Sequence, residues 1–269
     1  MSNELSGLVA LVTGGSSGIG EGASLALAAQ GAAVVVHGRD LAESESVAVR
    51  IRQTGGQSIA VAGPIDVAAT SVAAVEAALV AFGRLDVLVT SAGIQRYGDA
   101  VSTTETVWDE VLDVNTKGVF LAAHAALPAI RRSSKGSIVI VASVQGIASQ
   151  ANVVAYTASK GALHAMGRAM AIDEAAHGVR VNTVSPGSVD TPMLRHAAAE
   201  WSDGTADGIE RTIATWGTAH ALGRVATIGE VGEVVAFLAS SRASFVTGAD
   251  VRVDGGLLAR IAAALPDKG

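Results

Sequence analysis

A chain of 269 residues, 49% apolar and without a single cysteine, can bury a large core but has no disulfide, thiol nucleophile or Cys-based metal site available to it. Its net charge of −6 argues against a nucleic-acid partner, because phosphates must be neutralised by many cations. No apolar run reaches the length of a bilayer span, and the opening MSNELSG lacks the regions of a signal peptide, so a cytoplasmic protein with no membrane partner is expected.

Aromatic residues make up only 3% of the chain, so its core has to come from Ala, Val, Leu and Ile. That suits parallel strands covered on both faces by closely packed helices. Short Val/Ile/Leu runs predict strands over 8–12, 33–37, 58–62, 86–90, 137–142, 179–183 and 250–253. Helices are predicted near 18–30, 41–54, 70–82, 104–131, 156–177 and 229–240. Asp40 with Glu43, Ser102 with Glu105, and Thr227 with Glu230 each have capping-box spacing. Strands separated by helix-length segments imply right-handed crossovers and a doubly wound parallel α/β sheet of about seven strands. No linker, low-complexity tract or repeat interrupts the pattern, so one domain over 1–269 is expected. The stretch 188–226 lacks a clear period and holds Trp201 and Trp216; it is expected to be a functional lid.

The first strand runs into Thr13-Gly14-Gly15-Ser16-Ser17-Gly18-Ile19-Gly20. A Gly-rich turn from strand to helix leaves backbone N–H groups free for a pyrophosphate, which side chains would block. The spacing is G-x-x-x-G-x-G rather than the usual G-x-G-x-x-G. Farther on, Tyr156 and Lys160 are one of two tyrosines and one of four lysines, placed four residues apart so that they share a helix face. An ammonium beside a phenol favours the phenolate and is expected to bring the tyrosine pKa towards neutral pH. The six histidines (37, 124, 164, 177, 196 and 220) have no ligand spacing, so no metal is expected.

The glycine turn followed by Y-x-x-x-K resembles the short-chain dehydrogenase/reductase family over nearly the whole chain. That resemblance implies a Rossmann-type fold and hydride exchange between a nicotinamide cofactor and a secondary alcohol or carbonyl. Asn115, Ser143, Tyr156 and Lys160 match the family's catalytic residues. Tyr156 would move the hydroxyl proton, Ser143 would hold the reacting oxygen, Lys160 would also bind the nicotinamide ribose, and Asn115 would position water. Cofactor contacts are implied for Gly14, Ser16, Ser17, Gly18, Ile19 and Gly20 in the turn. They are implied too for Asp66 and Val67, for Ser91-Ala92-Gly93, and for Pro186, Gly187, Val189 and Thr191. Val246-Thr247-Gly248 and Asp254-Gly255-Gly256 match its C-terminal signature. Ser91 departs from the family's asparagine at the start of its N-A-G turn.

The position where the family carries an acid that selects NAD is Gly38, and Arg39 beside it offers a guanidinium to a 2′-phosphate, so NADP(H) is favoured with NAD(H) as the alternative. Gln95, Gln145 and Trp201 are candidate substrate contacts. The two amides suit a polyhydroxylated small molecule, and the SVQ sequence is similar to that of some sugar dehydrogenases. A 3-oxoacyl-ACP reductase-like or general ketone reductase is the alternative. Its docking patch would have to be Arg131, Arg132 and Lys135, expected at the opposite sheet edge. A non-catalytic nucleotide sensor would show a broken tetrad, and the tetrad is intact. The resemblance implies a homotetramer.

Overall fold

The structure is a computed structural model that describes residues 3–260. Seven strands form one parallel sheet in the order β3-β2-β1-β4-β5-β6-β7. They are β1 Val9–Thr13, β2 Ala33–Gly38, β3 Ser58–Ala62, β4 Val87–Thr90, β5 Ser137–Val141, β6 Arg180–Pro186 and β7 Asp250–Val253. The helices are α1 Gly18–Ala29, α2 Leu41–Gln53, α3 Ala68–Phe82, α4 Glu105–Leu112, α5 Gly118–Ile130, α6 Val154–Ala175, α7 Pro192–Glu200, α8 Ala206–Gly217 and α9 Ile228–Ala239. The expected Rossmann-like α/β sheet is therefore present.

Alternation along the strands builds two cores. In β1, Ala10 and Val12 face the layer under α1 and α9, while Val9 and Leu11 face the layer under α3 and α5. Ala and Gly let those helices lie close. A side chain at Gly22 would strike the Ile228 carbonyl, and one at Gly232 would strike Gly22, so α1 and α9 meet backbone to backbone.

Several expectations need correction. The predicted helix over 104–131 is broken by a π turn at Asp113–Lys117 that separates α4 from α5. Ser102 does not cap α4; Thr104 does, accepting from Val107 N, while Ser102 bonds Asp99 in the preceding loop. Asp40 caps α2 through Glu43 N, but a full reciprocal box is seen only at Thr227 and Glu230. The sixth strand reaches Pro186 because β7 pairs with its last four residues, support that a local pattern does not reveal. The segment 188–226 folds as α7 and α8, tied by Arg195, which pairs with Asp190 at 2.6 Å and Glu210 at 2.7 Å.

At the N-terminal edge of the sheet the Asp86 carboxylate accepts from Val9 N at 2.9 Å, from Arg84 at 2.8 and 2.7 Å, and from the Ser133 hydroxyl. Arg131, Arg132 and Lys135 also lie on this side, just before β5, and Arg131 is committed to Glu174. Among the described residues no helix is long and apolar enough to cross a membrane, and no acidic or histidine cluster has the makings of a metal site.

Candidate active site

Strand order reverses between β1 and β4, and the crevice beyond their carboxyl ends is where an open α/β sheet accepts a ligand. The glycine turn leaves β1 there, and Ser91-Ala92-Gly93 leaves β4 beside it. The two touch: a Cβ on Gly14, which has φ +65°, would sit 2.6 Å from Ala92 N. A Cβ on Gly20 would run into the Gly14 carbonyl, so this turn exists only with glycine. Ser17 stands at the N-cap of α1, yet its side chain accepts no bond from the first helical turn. Five other helices use a Ser/Thr/Asp-type cap, so α1 presents its N-terminus to the crevice. That bare cradle fits the pyrophosphate of a dinucleotide. The departure at Ser91 does not open the turn, since Ser91 N still donates to Thr13 O at 3.0 Å.

Arg39 is exposed beyond the end of β2, and a Cβ on Gly38 would fall 2.6 Å from Ser44 Oγ and still closer to Ser16 Oγ. No acidic side chain fits position 38 without displacing one of those serines. Asp66 and Val67 follow β3, where Val67 N-caps α3 and is 45% exposed. Gly18 lies against Thr191, whose hydroxyl caps α7 through Leu194 N.

Asn115 is fully buried within the π turn. Its Oδ1 accepts from Ile94 N at 2.8 Å, and its amide donates to Ile94 O at 2.9 Å and Ser159 Oγ at 3.0 Å. The side chain thus clamps the loop after β4 to α6 and keeps one lone pair on Oδ1. The π turn is what aims it there, a local irregularity of the kind found at functional sites. Ser143 lies two residues past β5 with extended backbone, and its Oγ accepts from Gln145 N at 3.1 Å.

Tyr156 and Lys160 lie on the face of α6 turned to the sheet, both nearly buried. Lys160 Nζ donates to Val141 O at 3.0 Å and lies 5.6 Å from the centre of the Tyr156 ring. Here the expected pKa effect is reversed. Burial pushes the Tyr156 phenol up to about 12, with the Ser143 hydroxyl pulling it down and Tyr97 raising it further. Burial also pulls the Lys160 ammonium down to about 8. Desolvation is the largest cause of both shifts.

Ser143 and Tyr156 open into a cleft of about 870 Å³, and Gln95, Gln145 and Trp201 line it as well. Ile19, Pro186, Gly187, Val189 and Thr191 line it too, so the segment implied for the cofactor and the residues implied for the substrate border one space. Helices α7 and α8 form one wall through Leu194, Trp201 and Trp216. The stretch 91–97 is read from the sequence as lying beside the site, but the pairing of Tyr97 with Trp201, edge-on with ring centres 5.8 Å apart, is not. The signal for Tyr97 itself was scarcity: it is the other of two tyrosines. Asn152, also in the cleft, has φ 62°, a left-handed backbone that asparagine tolerates better than most residues.

Residues 14–258 match the family model described as Enoyl-(Acyl carrier protein) reductase. The chain belongs to the short-chain dehydrogenase/reductase family. It is 38% identical over 262 residues to a cyclohexanol dehydrogenase of Acinetobacter sp. (strain SE19), covering 95% of this chain and 96% of the relative. It is 37% identical over 264 residues to a 3-alpha-(or 20-beta)-hydroxysteroid dehydrogenase of Mycobacterium tuberculosis (strain ATCC 25618 / H37Rv), covering 97% and 94%. Among solved structures, the aldohexose dehydrogenase of Thermoplasma acidophilum superposes with a TM-score of 0.90 at 32% identity, covering 99% of this chain and 100% of that one. As a member of the short-chain dehydrogenase/reductase family the chain is an NAD(P)-dependent oxidoreductase acting on alcohol and carbonyl groups.

Proposed function

We propose that this protein interconverts a neutral cyclic secondary alcohol and its ketone with NADP(H). One observation carries the substrate class. Among the described residues lining the cleft there is no Asp, Glu, Lys or Arg. A charged substrate would be desolvated there without a partner, at a cost of several kcal/mol. The aromatic composition supports a ring: both tyrosines and two of the three tryptophans in the chain line this cleft. The cyclohexanol and hydroxysteroid relatives fit that reading.

A sugar or polyol is the second reading, favoured by Gln145. Its Oε1 is buried without a partner and calls for a hydroxyl donor on the substrate. A reductase of carrier-bound acyl chains fits less well, because its docking cations sit on the N-terminal side of the sheet, away from the cleft. For the cofactor, Gly38 leaves no acid at the end of β2 to bond a 2′-hydroxyl, while Ser16 and the exposed Arg39 suit a 2′-phosphate.

In ketone reduction the Tyr156 hydroxyl donates its proton to the carbonyl oxygen, which the Ser143 hydroxyl holds by a hydrogen bond. In oxidation Tyr156 takes the alcohol proton back. When bound, the nicotinamide supplies the hydride or accepts it. A phenol at about 12 keeps its proton through neutral pH, which suits donation. Accepting a proton needs help from the Lys160 ammonium, which is present below about pH 8. Asn115 keeps the loop after β4 in place beneath both groups.

Trp108 on α4, Phe120 on α5 and Ile172 on α6 are exposed apolar side chains, which supports a homotetramer assembled through these helices. The test of function is a panel of neutral cyclic alcohols, sugars and polyols against carboxylated or phosphorylated counterparts, with NADP⁺ and NAD⁺, followed at the nicotinamide absorbance. Neutral cyclic alcohols should be turned over with the higher kcat/KM. Preference for a charged counterpart would overturn the substrate class. Silence across the whole panel, with cofactor still bound, would favour a nucleotide sensor.

A further inference from the structure

We infer that His164 is a positioning residue for Ser143, holding the strand-end turn that presents the Ser143 hydroxyl to the reacting oxygen. Tyr156, Lys160 and His164 follow one another at four-residue intervals on α6 and so share the helix face turned to β5. His164 Nε2 lies 3.2 Å from the Ser143 carbonyl oxygen, and Nδ1 lies 3.4 Å from Asp250 Oδ1 at the start of β7. A carbonyl oxygen only accepts, so Nε2 carries the proton and donates. Asp250 is itself held, accepting from Ser185 Oγ at 2.6 Å and Thr183 Oγ1 at 2.8 Å. The Asp250 carboxylate raises the imidazole pKa above its ordinary value against the opposing pull of burial.

The contact is fitted from the other side as well. Gly146 closes the turn that Ser143 begins, and a Cβ there would lie 2.7 Å from both Nε2 and Cδ2 of His164. The Cδ2–Nε2 edge of the ring therefore packs against the turn and leaves no room for a side chain at position 146. Without His164 the Ser143 carbonyl would keep one partner, Gly146 N at 3.0 Å. The Ser143 side chain bonds within the same turn, to Gln145 N, and meets α6 only at the Tyr156 hydroxyl, a contact that leaves the Ser143 backbone free. Lys160 ties α6 to the end of β5 at the Val141 carbonyl, and His164 extends that tie to the Ser143 carbonyl. A satisfied core histidine linking α6 to β7 would instead matter for stability alone.

Two replacements separate these roles. His164→Gln puts an amide N–H where Nε2 stands; His164→Asn puts one where Nδ1 stands and leaves Ser143 without its donor. With NADP(H), His164→Asn should lower kcat about tenfold or more, while cofactor Kd stays within about twofold, and His164→Gln should recover most of the loss. In a Ser143→Ala background the effect of His164→Asn should shrink towards none, since the histidine acts through that serine. Independently of turnover, and therefore of the proposed substrate, amide exchange across 143–153 in the cofactor-bound protein should quicken in His164→Asn and not in His164→Gln. Equal kinetics and equal exchange for the two variants, or an undiminished effect in the Ser143→Ala background, would overturn the inference. Should His164→Asn fail to fold, His164→Gln compared with His164→Ala reads the same contrast.

Discussion

Lys160 reaches past the ring of Tyr156, 5.6 Å from its centre, and ends on the Val141 carbonyl rather than on any carboxylate. A buried ammonium with only a carbonyl for company is a costly arrangement, and a buried phenol beside it resists losing its proton. Under the proposed mechanism this pair supplies a proton that can be delivered and a charge that assists its return.

That cost is measurable as stability. The folded pKa of Lys160, about 8, lies below its ordinary 10.5, so between those values the unfolded chain binds more protons. Stability from this group therefore rises with pH from about 8 to 10.5, whereas Tyr156 works the other way between 10 and about 12. Lys160→Met should be more stable than the wild type at pH 7 by about 1–3 kcal/mol, with turnover lost. Denaturant melts at pH 7 and pH 10 check this: the advantage of the variant should shrink at the higher pH.

Arg39→Ala should raise KM for NADP(H) about tenfold and leave NAD(H) within about twofold, as loss of one charge-assisted phosphate contact implies. Initial rates with both cofactors decide it. A parallel loss for both would remove Arg39 from the 2′-phosphate and with it the preference for NADP(H).

Asp86 offers a control away from the chemistry. Burial alone would raise its pKa, but bonds from Arg84, Ser133 and Val9 N outweigh that and hold it below its ordinary value. Its stabilisation is present above the unfolded pKa near 3.8 and disappears as pH falls through the lower folded value. Asp86→Ala should destabilise by about 2–4 kcal/mol, because buried donors lose their acceptor. Cofactor affinity should not change, since the cluster lies at the opposite end of the strands from the glycine turn.

The architecture was largely legible because both sheet faces are covered, which leaves short unbroken runs such as Val34-Val35-Val36 that read as strand. The bounds of β3 and β7 match the sequence pattern, whereas β6 runs on to Pro186 through pairing with a strand more than sixty residues away. The predicted helix over 104–131 hid the π turn because an inserted residue leaves the Ala/Leu periodicity of α5 intact. Tyr156 and Lys160 were found by spacing, but the sign of the tyrosine shift was not, since burial is a property of the fold. The reach of Tyr97 to Trp201, more than a hundred residues away in the chain, has no local signature. His164 was one of six scattered histidines until α6 placed it over the Ser143 carbonyl.

The most direct measurement is single-turnover ketone reduction by Tyr156→Phe with NADPH, alongside NADPH binding by fluorescence. Removing the proposed acid at the reacting oxygen, with the ring kept in place, should slow the chemical step by about a thousandfold or more and leave NADPH affinity within about twofold. A rate close to that of the wild type would contradict the assignment of Tyr156 as the acid.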